Sequence, residues 1–135
     1  MCAAPPEGAT SAVKEGCVGE TLAALQAGEQ LAAATDPAVR AALATIAADE
    51  ARHAELAWRT VAWAVAEGGA EVRRAVRAAF DEALAAMPEP EPIAGELAAD
   101  LAAHGRLDAA ALRSAFERGI ADVILPAMRS LEGSS

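Results

Sequence analysis

Residues 37–67 carry apolar side chains that recur at the period of an α-helix, and this pattern limits the possible folds more than any other feature of the chain. At about 100° per residue, the apolar side chains fall within one narrow arc. They are Val39, Leu43, Ile46, Ala57, Val61 and Ala64. The pattern predicts one long helix whose arc faces a core and which ends at Gly68-Gly69, since glycine accepts the left-handed conformation that closes many helices.

A second helix is expected before this one, from about Ala12 to Ala34. The segment Thr35-Asp36-Pro37 separates the two. Asp36 can cap the following helix, and Pro37 suits its first position because the N–H that proline lacks would be unpaired there in any case. We therefore expect residues 12–67 to form an antiparallel hairpin of two long helices.

The composition supports an all-α fold. Hydrophobic residues make up 54% of the chain and are largely alanine, whereas aromatic residues make up 3% and tyrosine is absent. Alanine favours thin, closely packed helices over a sheet of β-branched residues. A chain of 135 residues fits one domain.

The region after Gly69 is predicted to be a C-terminal helical appendage, residues 70–131. We expect it to contain a helix over 70–87, an extended proline-rich connector at 88–92, and helices over 93–103 and 108–131. Pro126 should kink or end the last of these helices. Residues 1–11 are expected to be a flexible leader, and residues 132–135 a disordered tail.

The charge of the chain disfavours two classes of partner. A formal net charge of −9 repels phosphate backbones and anionic lipid head groups, so neither nucleic acid nor a membrane surface is an expected partner. No apolar run approaches the roughly 20 residues of a membrane span, and no signal peptide follows Met1, which favours a cytoplasmic protein. Cys2 and Cys17 are expected to be reduced thiols.

Three polar residues occupy unexpected places in the apolar pattern. Glu50 lies in the middle of the apolar arc, His53 lies about 60° to one side of it, and Glu20 flanks the apolar face of the first helix. A buried carboxylate without a partner costs several kcal/mol or more, so it must be neutralised, paired or bound to a metal. One interpretation is that Glu50 pairs with an arginine of another helix and that His53 is an ordinary core histidine.

The other interpretation is a metal site. Glu20 lies 16 residues before Asp36 and Glu50 lies 14 after it, so a hairpin brings the two carboxylates to nearly the same level at about 1.5 Å rise per residue. Two carboxylates and an imidazole suit iron, manganese or zinc better than magnesium. The lack of cysteines at thiolate-ligand spacing argues against a structural zinc cluster.

The residues around these side chains resemble a known superfamily. Glu20 within Gly16-Cys17-Val18-Gly19-Glu20-Thr21 and the E-x-x-H of Glu50-Ala51-Arg52-His53 are similar to the ligand motifs of ferritin-like di-iron carboxylate proteins, of the rubrerythrin and ferritin type. Residues 15–65, a little under half of the chain, resemble the second helix pair of such a domain. The resemblance implies half of a ferritin-like four-helix bundle, with Glu20, Glu50 and His53 as metal ligands.

A full bundle of this superfamily has two such helix pairs, whereas this chain has one. The resemblance therefore implies a homodimer, in which two copies supply four glutamates and two histidines for two iron ions, with manganese as the alternative metal. The implied activity is that of a di-iron oxidase or ferroxidase, or the handling of peroxide. The family's redox tyrosines have no counterpart here.

A second function remains open on the sequence. The chain could be a helical interaction or scaffold module that retains remnant metal ligands, with its C-terminal helices covering the face where a second helix pair would dock. The two functions differ in whether the helices after Gly69 cover the ligand face or leave it free.

Overall fold

The computed structural model describes residues 6–86, 107 and 109–133. These residues form three helices and no strand, which confirms the all-α prediction for this part of the chain. The N-terminal helix, residues 6–33, consists of Pro6–Ser11, a π-helical stretch Ala12–Glu20, and Thr21–Ala33. The central helix is Pro37–Ala85. The C-terminal helix, residues 109–133, consists of Ala109–Gly119, a π-helical stretch Ile120–Ile124, and Leu125–Gly133.

The start of the central helix has the cap that the sequence predicts. Asp36 is extended, with φ −73° and ψ 124°, and its Oδ1 accepts hydrogen bonds from the backbone N–H groups of Ala38 at 2.9 Å and Val39 at 3.1 Å. Arg40 donates from Nη1 to the carbonyl oxygens of Leu31 at 2.6 Å and Ala34 at 2.9 Å. These bonds satisfy free backbone groups on both sides of the turn.

Gly69 interrupts the central helix where the sequence predicts a break. Its φ of 68° and ψ of −149° are not helical, and no non-glycine residue in the described chain has a positive φ. Glycine accepts this conformation because it has no Cβ to clash with the neighbouring carbonyl. Residues 37–68 and 70–85 are thus two helical segments that meet at one glycine.

The core lies between all three helices. Its largest fully buried side chains are Phe80, Ile124, Val13, Val61 and Cys17. The ring of Trp58 stacks on Phe80 with 5.4 Å between centroids, and Trp58 Nε1 donates to Thr21 Oγ1 at 3.0 Å. A hydrogen bond for the indole N–H is the usual requirement for burying tryptophan.

The N-terminal helix begins earlier than expected. Residues 6–11, which the sequence analysis assigned to a flexible leader, are helical, and Ala9 is buried against the same core as Val13. Pro6 does not oppose this, because proline is tolerated in the first turn of a helix. Residues 1–5 lie outside the described part of the chain.

The C-terminal helix continues past Pro126 and does not end there. A wider π-helical turn comes just before the proline, and the N–H of Leu125 bonds to the carbonyl of Ile120, five residues back. A π-helical turn accommodates Pro126, because proline has no N–H to donate and its ring crowds the preceding turn. Residues 132 and 133, expected in a disordered tail, also belong to this helix.

Several expectations fall on residues that the structure does not describe. These are the connector at 88–92, the helix over 93–103, the cap at Asp108 and the last two residues of the tail. No helix in the described part of the chain is both long enough and apolar enough to cross a membrane.

The apolar arc of the central helix is buried only along part of its length. Val61 and Ala64 are buried, whereas Leu43 is half-buried and Ile46 is 48% exposed. The prediction that the whole arc faces a core is therefore wrong for the first half of the helix. The reason is that the described residues of the C-terminal helix pack near Val61 and Val65. This contact lies in the second half of the helix before Gly69, so it does not cover the first half.

Candidate metal centre

The structure brings the three predicted ligand residues together. Glu20 is the last residue of the π-helical stretch in the N-terminal helix, and Glu50 and His53 lie one turn apart on the central helix. Each offers one ligand atom, and these atoms all lie within 4.8 Å of one another. Two carboxylate oxygens and an imidazole nitrogen at this spacing can converge on one cation.

Glu20 has an oxygen without a hydrogen bond at the centre of this cluster. His53 Nδ1 lies 3.1 Å from Glu20 Oε2, yet Oε2 is buried and has no hydrogen-bond partner. A buried polar atom without a partner costs free energy, and nearly all such atoms in proteins are paired. A metal ion bound between Glu20, Glu50 and His53 would satisfy this oxygen, so the residues fit the group that the sequence motif implies.

The cluster is more exposed than predicted. The side chain of His53 is 62% exposed and that of Glu20 is 32% exposed, while Glu50 is half-buried. The expectation that all three side chains project into a closed core is therefore wrong. They lie at a surface between the N-terminal and central helices, where His53 stays exposed in the described part of the chain.

The described C-terminal helix packs on the N-terminal helix at Leu22 and Leu25, and on the central helix near Phe80. Trp58 is five residues after His53, which places the two side chains about 140° apart around the helix. Trp58 contacts Phe80 and Thr21, and the core that continues from there includes Ile124 and Met128. In the described chain, Phe80 thus packs against the Trp58 side of the central helix, while His53 stays 62% exposed.

Gly16 allows the two ligand-bearing helices to approach closely. A Cβ built on Gly16 would lie 2.2 Å from Cβ of Ala57, which no pair of carbon atoms tolerates. Gly16 is four residues before Glu20, and Ala57 is four residues after His53. The close contact therefore lies one turn from the ligands on each helix. Helical periodicity did not predict this role of Gly16; the signal that could have indicated it is a small residue on each helix, four residues from a ligand residue.

Glu20 is the last residue of a π-helical stretch. Regular spacing of about 3.6 residues per turn assigned Glu20 to the flank of the apolar face, but the nine residues Ala12–Glu20 follow wider turns. π-helical turns are rare and frequently occur at functional sites. Here the stretch ends at the one residue that the N-terminal helix contributes to the cluster.

Cys17 is not part of the cluster that Glu20, Glu50 and His53 form. It is a free thiol with no exposed surface, and burial raises the pKa of Cys17 to about 12. A buried thiol of this kind acts as a small apolar side chain of the core.

Arginine does not neutralise the carboxylates of the cluster. Arg52 pairs with Asp49 on its own helix, and Arg59 pairs with Glu55 at 2.9 Å. Among the described residues, no ion pair joins an arginine to Glu50, and the partner of Glu20 is His53. The interpretation of Glu50 and His53 as an ion-paired carboxylate and an ordinary core histidine is therefore wrong.

Comparisons with protein-family models, with curated proteins and with solved structures found no match to this chain. The function is therefore argued from the geometry of Glu20, Glu50 and His53 and from the chemistry of their side chains. His104, the second histidine of the chain, lies outside the described residues.

Proposed function

We propose that this chain is a ferritin-like metal-binding protein that holds iron, or manganese, through Glu20, Glu50 and His53. One observation carries the proposal: the three ligand atoms lie within 4.8 Å of one another around a buried carboxylate oxygen that accepts no hydrogen bond. A mixed set of oxygen and nitrogen ligands without thiolate favours these metals. The motif around Glu20 and the E-x-x-H of the central helix support the ferritin-like type.

The proposed architecture is an antiparallel hairpin over residues 12–67, equivalent to half of a four-helix bundle, with a C-terminal helical appendage. The order of contacts supports it. Arg40 bonds near the end of the N-terminal helix at Leu31, while Ala57 lies against Gly16 near its beginning. Later residues of the central helix thus contact earlier residues of the N-terminal helix, as expected for antiparallel neighbours.

The proposed active form is a homodimer. One copy supplies two carboxylates and one imidazole, whereas the two-metal centres of the ferritin-like class use four carboxylates and two imidazoles. A second copy related by a two-fold axis would supply the remainder. The exposure of His53 supports this assembly, because a ligand face already covered by the chain's own helices could not receive a second copy.

Each residue has a distinct part in the proposed site. Glu20 and Glu50 supply the negative charge that holds a divalent cation, and Glu20 Oε2 is already buried and so needs little further desolvation. His53 supplies a neutral nitrogen. The net charge of −9 raises the local concentration of cations around the chain. Bound iron would supply one-electron redox chemistry toward dioxygen or peroxide, the basis for a proposed oxidase or ferroxidase activity.

The competing function, a scaffold module with remnant ligands, required the C-terminal helices to cover the ligand face. Of the segments after Gly69, the structure describes 70–86, 107 and 109–133; in this part of the chain Phe80 packs on Trp58 and His53 stays 62% exposed. Within the described residues, this exposure favours the metal-binding function.

Anaerobic titration with ferrous iron tests the proposal. We expect the purified chain to bind iron, with two ions per dimer at saturation, and to form ferric species with a rise in near-ultraviolet absorbance when oxygen is added. Glu50→Ala and His53→Ala should each weaken binding by about 10-fold or more, since each removes one of the three ligands.

Glu55→Ala is the matched control, because Glu55 is an exposed carboxylate of the same helix that lies outside the cluster. It should bind iron like the original chain. A chain that binds no iron or manganese, or one in which Glu55→Ala weakens binding as much as Glu50→Ala, would contradict the proposal and favour the scaffold function.

A further inference from the structure

Large apolar side chains are exposed on the same side of the central helix as His53. Leu56 is 65% exposed, Ile46 48% and Trp63 40%, and no other described large apolar residue is as exposed as these three. At about 100° per residue, Leu56 and Trp63 lie about 60–80° to one side of His53 around the helix, and Ile46 lies about 20° to the other side. We call the surface formed by Ile46, His53, Leu56 and Trp63 the His53 face. Single exposed apolar residues are common, whereas a cluster beside a candidate site indicates an interface.

The apolar residues of the His53 face are self-complementary about His53. Ile46 lies seven residues before His53, and the position seven residues after His53 is Thr60, midway between Leu56 and Trp63. Two copies of this helix that packed antiparallel around a two-fold axis at His53 would therefore bring Ile46 of each copy to the level between Leu56 and Trp63 of the other along the helix axis.

The charges beside the His53 face are self-complementary about nearly the same point. Asp49 lies four residues before His53 and Arg59 six residues after it. In the same antiparallel pairing, Asp49 of one copy meets Arg59 of the other to within about 3 Å along the helix axis. Both side chains are exposed, and each now pairs only with a residue of its own helix, so both can exchange partners.

We propose that the His53 face is the interface with a second copy of this chain, packed antiparallel with the two-fold axis beside His53. The apolar residues, the charged residues and the ligand cluster each have their midpoint along the helix within about two residues of His53. The inference rests on the proposed function in one respect: an axis beside the ligand histidine is the one that joins two incomplete ligand sets into a single centre.

Charge exchange tests the interface by sedimentation equilibrium, with and without manganese. Asp49→Arg and Arg59→Asp should each weaken the dimer about 10-fold, because each places like charges opposite one another across the axis. The double variant Asp49→Arg/Arg59→Asp restores opposite charges and should return the dissociation constant to within about threefold of the original. A double variant as weak as the single ones would overturn the inference.

Leu56→Asp tests the apolar part of the interface. It should weaken the dimer by about 10-fold or more, since it introduces a charge at the centre of the apolar contact. The melting temperature of the dilute, metal-free chain should stay nearly unchanged, because Leu56 is 65% exposed in the single copy. Val123→Asp is the matched control: Val123 is 39% exposed on the C-terminal helix, away from the His53 face, so the dimer should keep its affinity.

The outcomes separate this inference from the proposed function. A chain that binds manganese and dimerises, but whose dimer ignores both the charge exchange and Leu56→Asp, would overturn the interface and leave the metal site standing. A dimer that obeys the charge exchange but binds no metal would overturn the proposed function and leave the interface standing. A chain that stays monomeric with and without manganese would overturn the inference.

Discussion

Gly16 and Ala57 lie where the two ligand-bearing helices come into contact, one turn away from Glu20 and His53. Two small residues allow the backbones to approach, and this approach brings a carboxylate of one helix within 3.1 Å of an imidazole of the other. At the scale of single residues, the candidate site thus depends on the small size of Gly16 and Ala57 as much as on the three ligand side chains.

Replacing Gly16 with alanine should separate the helices. The added Cβ would lie 2.2 Å from Cβ of Ala57, and neither atom is the end of a flexible side chain, so the backbone must move. We expect Gly16→Ala to lower the free energy of unfolding by about 1–3 kcal/mol, the usual cost of overpacking, as measured by urea denaturation. Metal affinity should fall as well, since Glu20 moves away from His53.

The compensating variant Ala57→Gly provides the control. Gly16→Ala/Ala57→Gly returns the space, so the double variant should be less destabilised than the two single variants added together, although glycine within a helix costs about 1 kcal/mol. Strict additivity of the two changes would contradict the role of this contact.

The helices begin and end where local chemistry requires, and Gly69 is the clearest case. Its φ of 68° is unfavourable for any residue with a Cβ, yet a Cβ built there would meet nothing within 4 Å. The requirement for glycine at this position is therefore a matter of backbone conformation and not of space.

Gly69→Ala and Gly28→Ala should change stability in opposite directions. An alanine at φ 68° and ψ −149° would lie in a region essentially restricted to glycine, at a cost of about 1–3 kcal/mol, so Gly69→Ala should lower the urea midpoint. Gly28 is an exposed glycine inside Thr21–Ala33, and a Cβ there also meets nothing within 4 Å, so Gly28→Ala should raise the free energy of unfolding by roughly 0.5–1 kcal/mol. A stabilising Gly69→Ala would show that the break in the helix is not needed.

The described part of the chain has one covered side and one exposed side. Its core forms where the central and C-terminal helices meet around Phe80 and Ile124, while His53 and Leu56 stay exposed on the opposite side. If the exposed side is completed by a second copy, metal binding, dimer formation and stability must be linked, since the ion binds the assembled state more tightly than the separate chains.

This linkage predicts a melting temperature that depends on protein concentration when metal is present. Saturating manganese should raise the midpoint by roughly 5–10 °C at high protein concentration and by less on dilution, as measured by differential scanning calorimetry. Glu50→Ala should abolish both the rise and its concentration dependence. A metal-induced rise that is the same at all protein concentrations would indicate a site completed within one chain.

The sequence by itself determined the local features of this protein. Helical periodicity, the Asp36-Pro37 cap and the break at Gly69 follow from short-range sterics and hydrogen bonds, and the matched distances of Glu20 and Glu50 from Asp36 follow from the constant rise of a helix. These features predicted the all-α fold and the three residues that the structure brings together.

Only the tertiary structure decided which sides of the helices are covered. Periodicity defines an apolar arc but not what packs on it, so Ile46 and His53 were expected inside and lie exposed. The π-helical stretch before Glu20 and the contact of Gly16 with Ala57 also depend on neighbours distant in sequence, which a local pattern does not contain. In the described part of the chain Trp58 packs on Phe80 while His53 stays exposed, because burial is decided by whole surfaces that fit together and not by single residues.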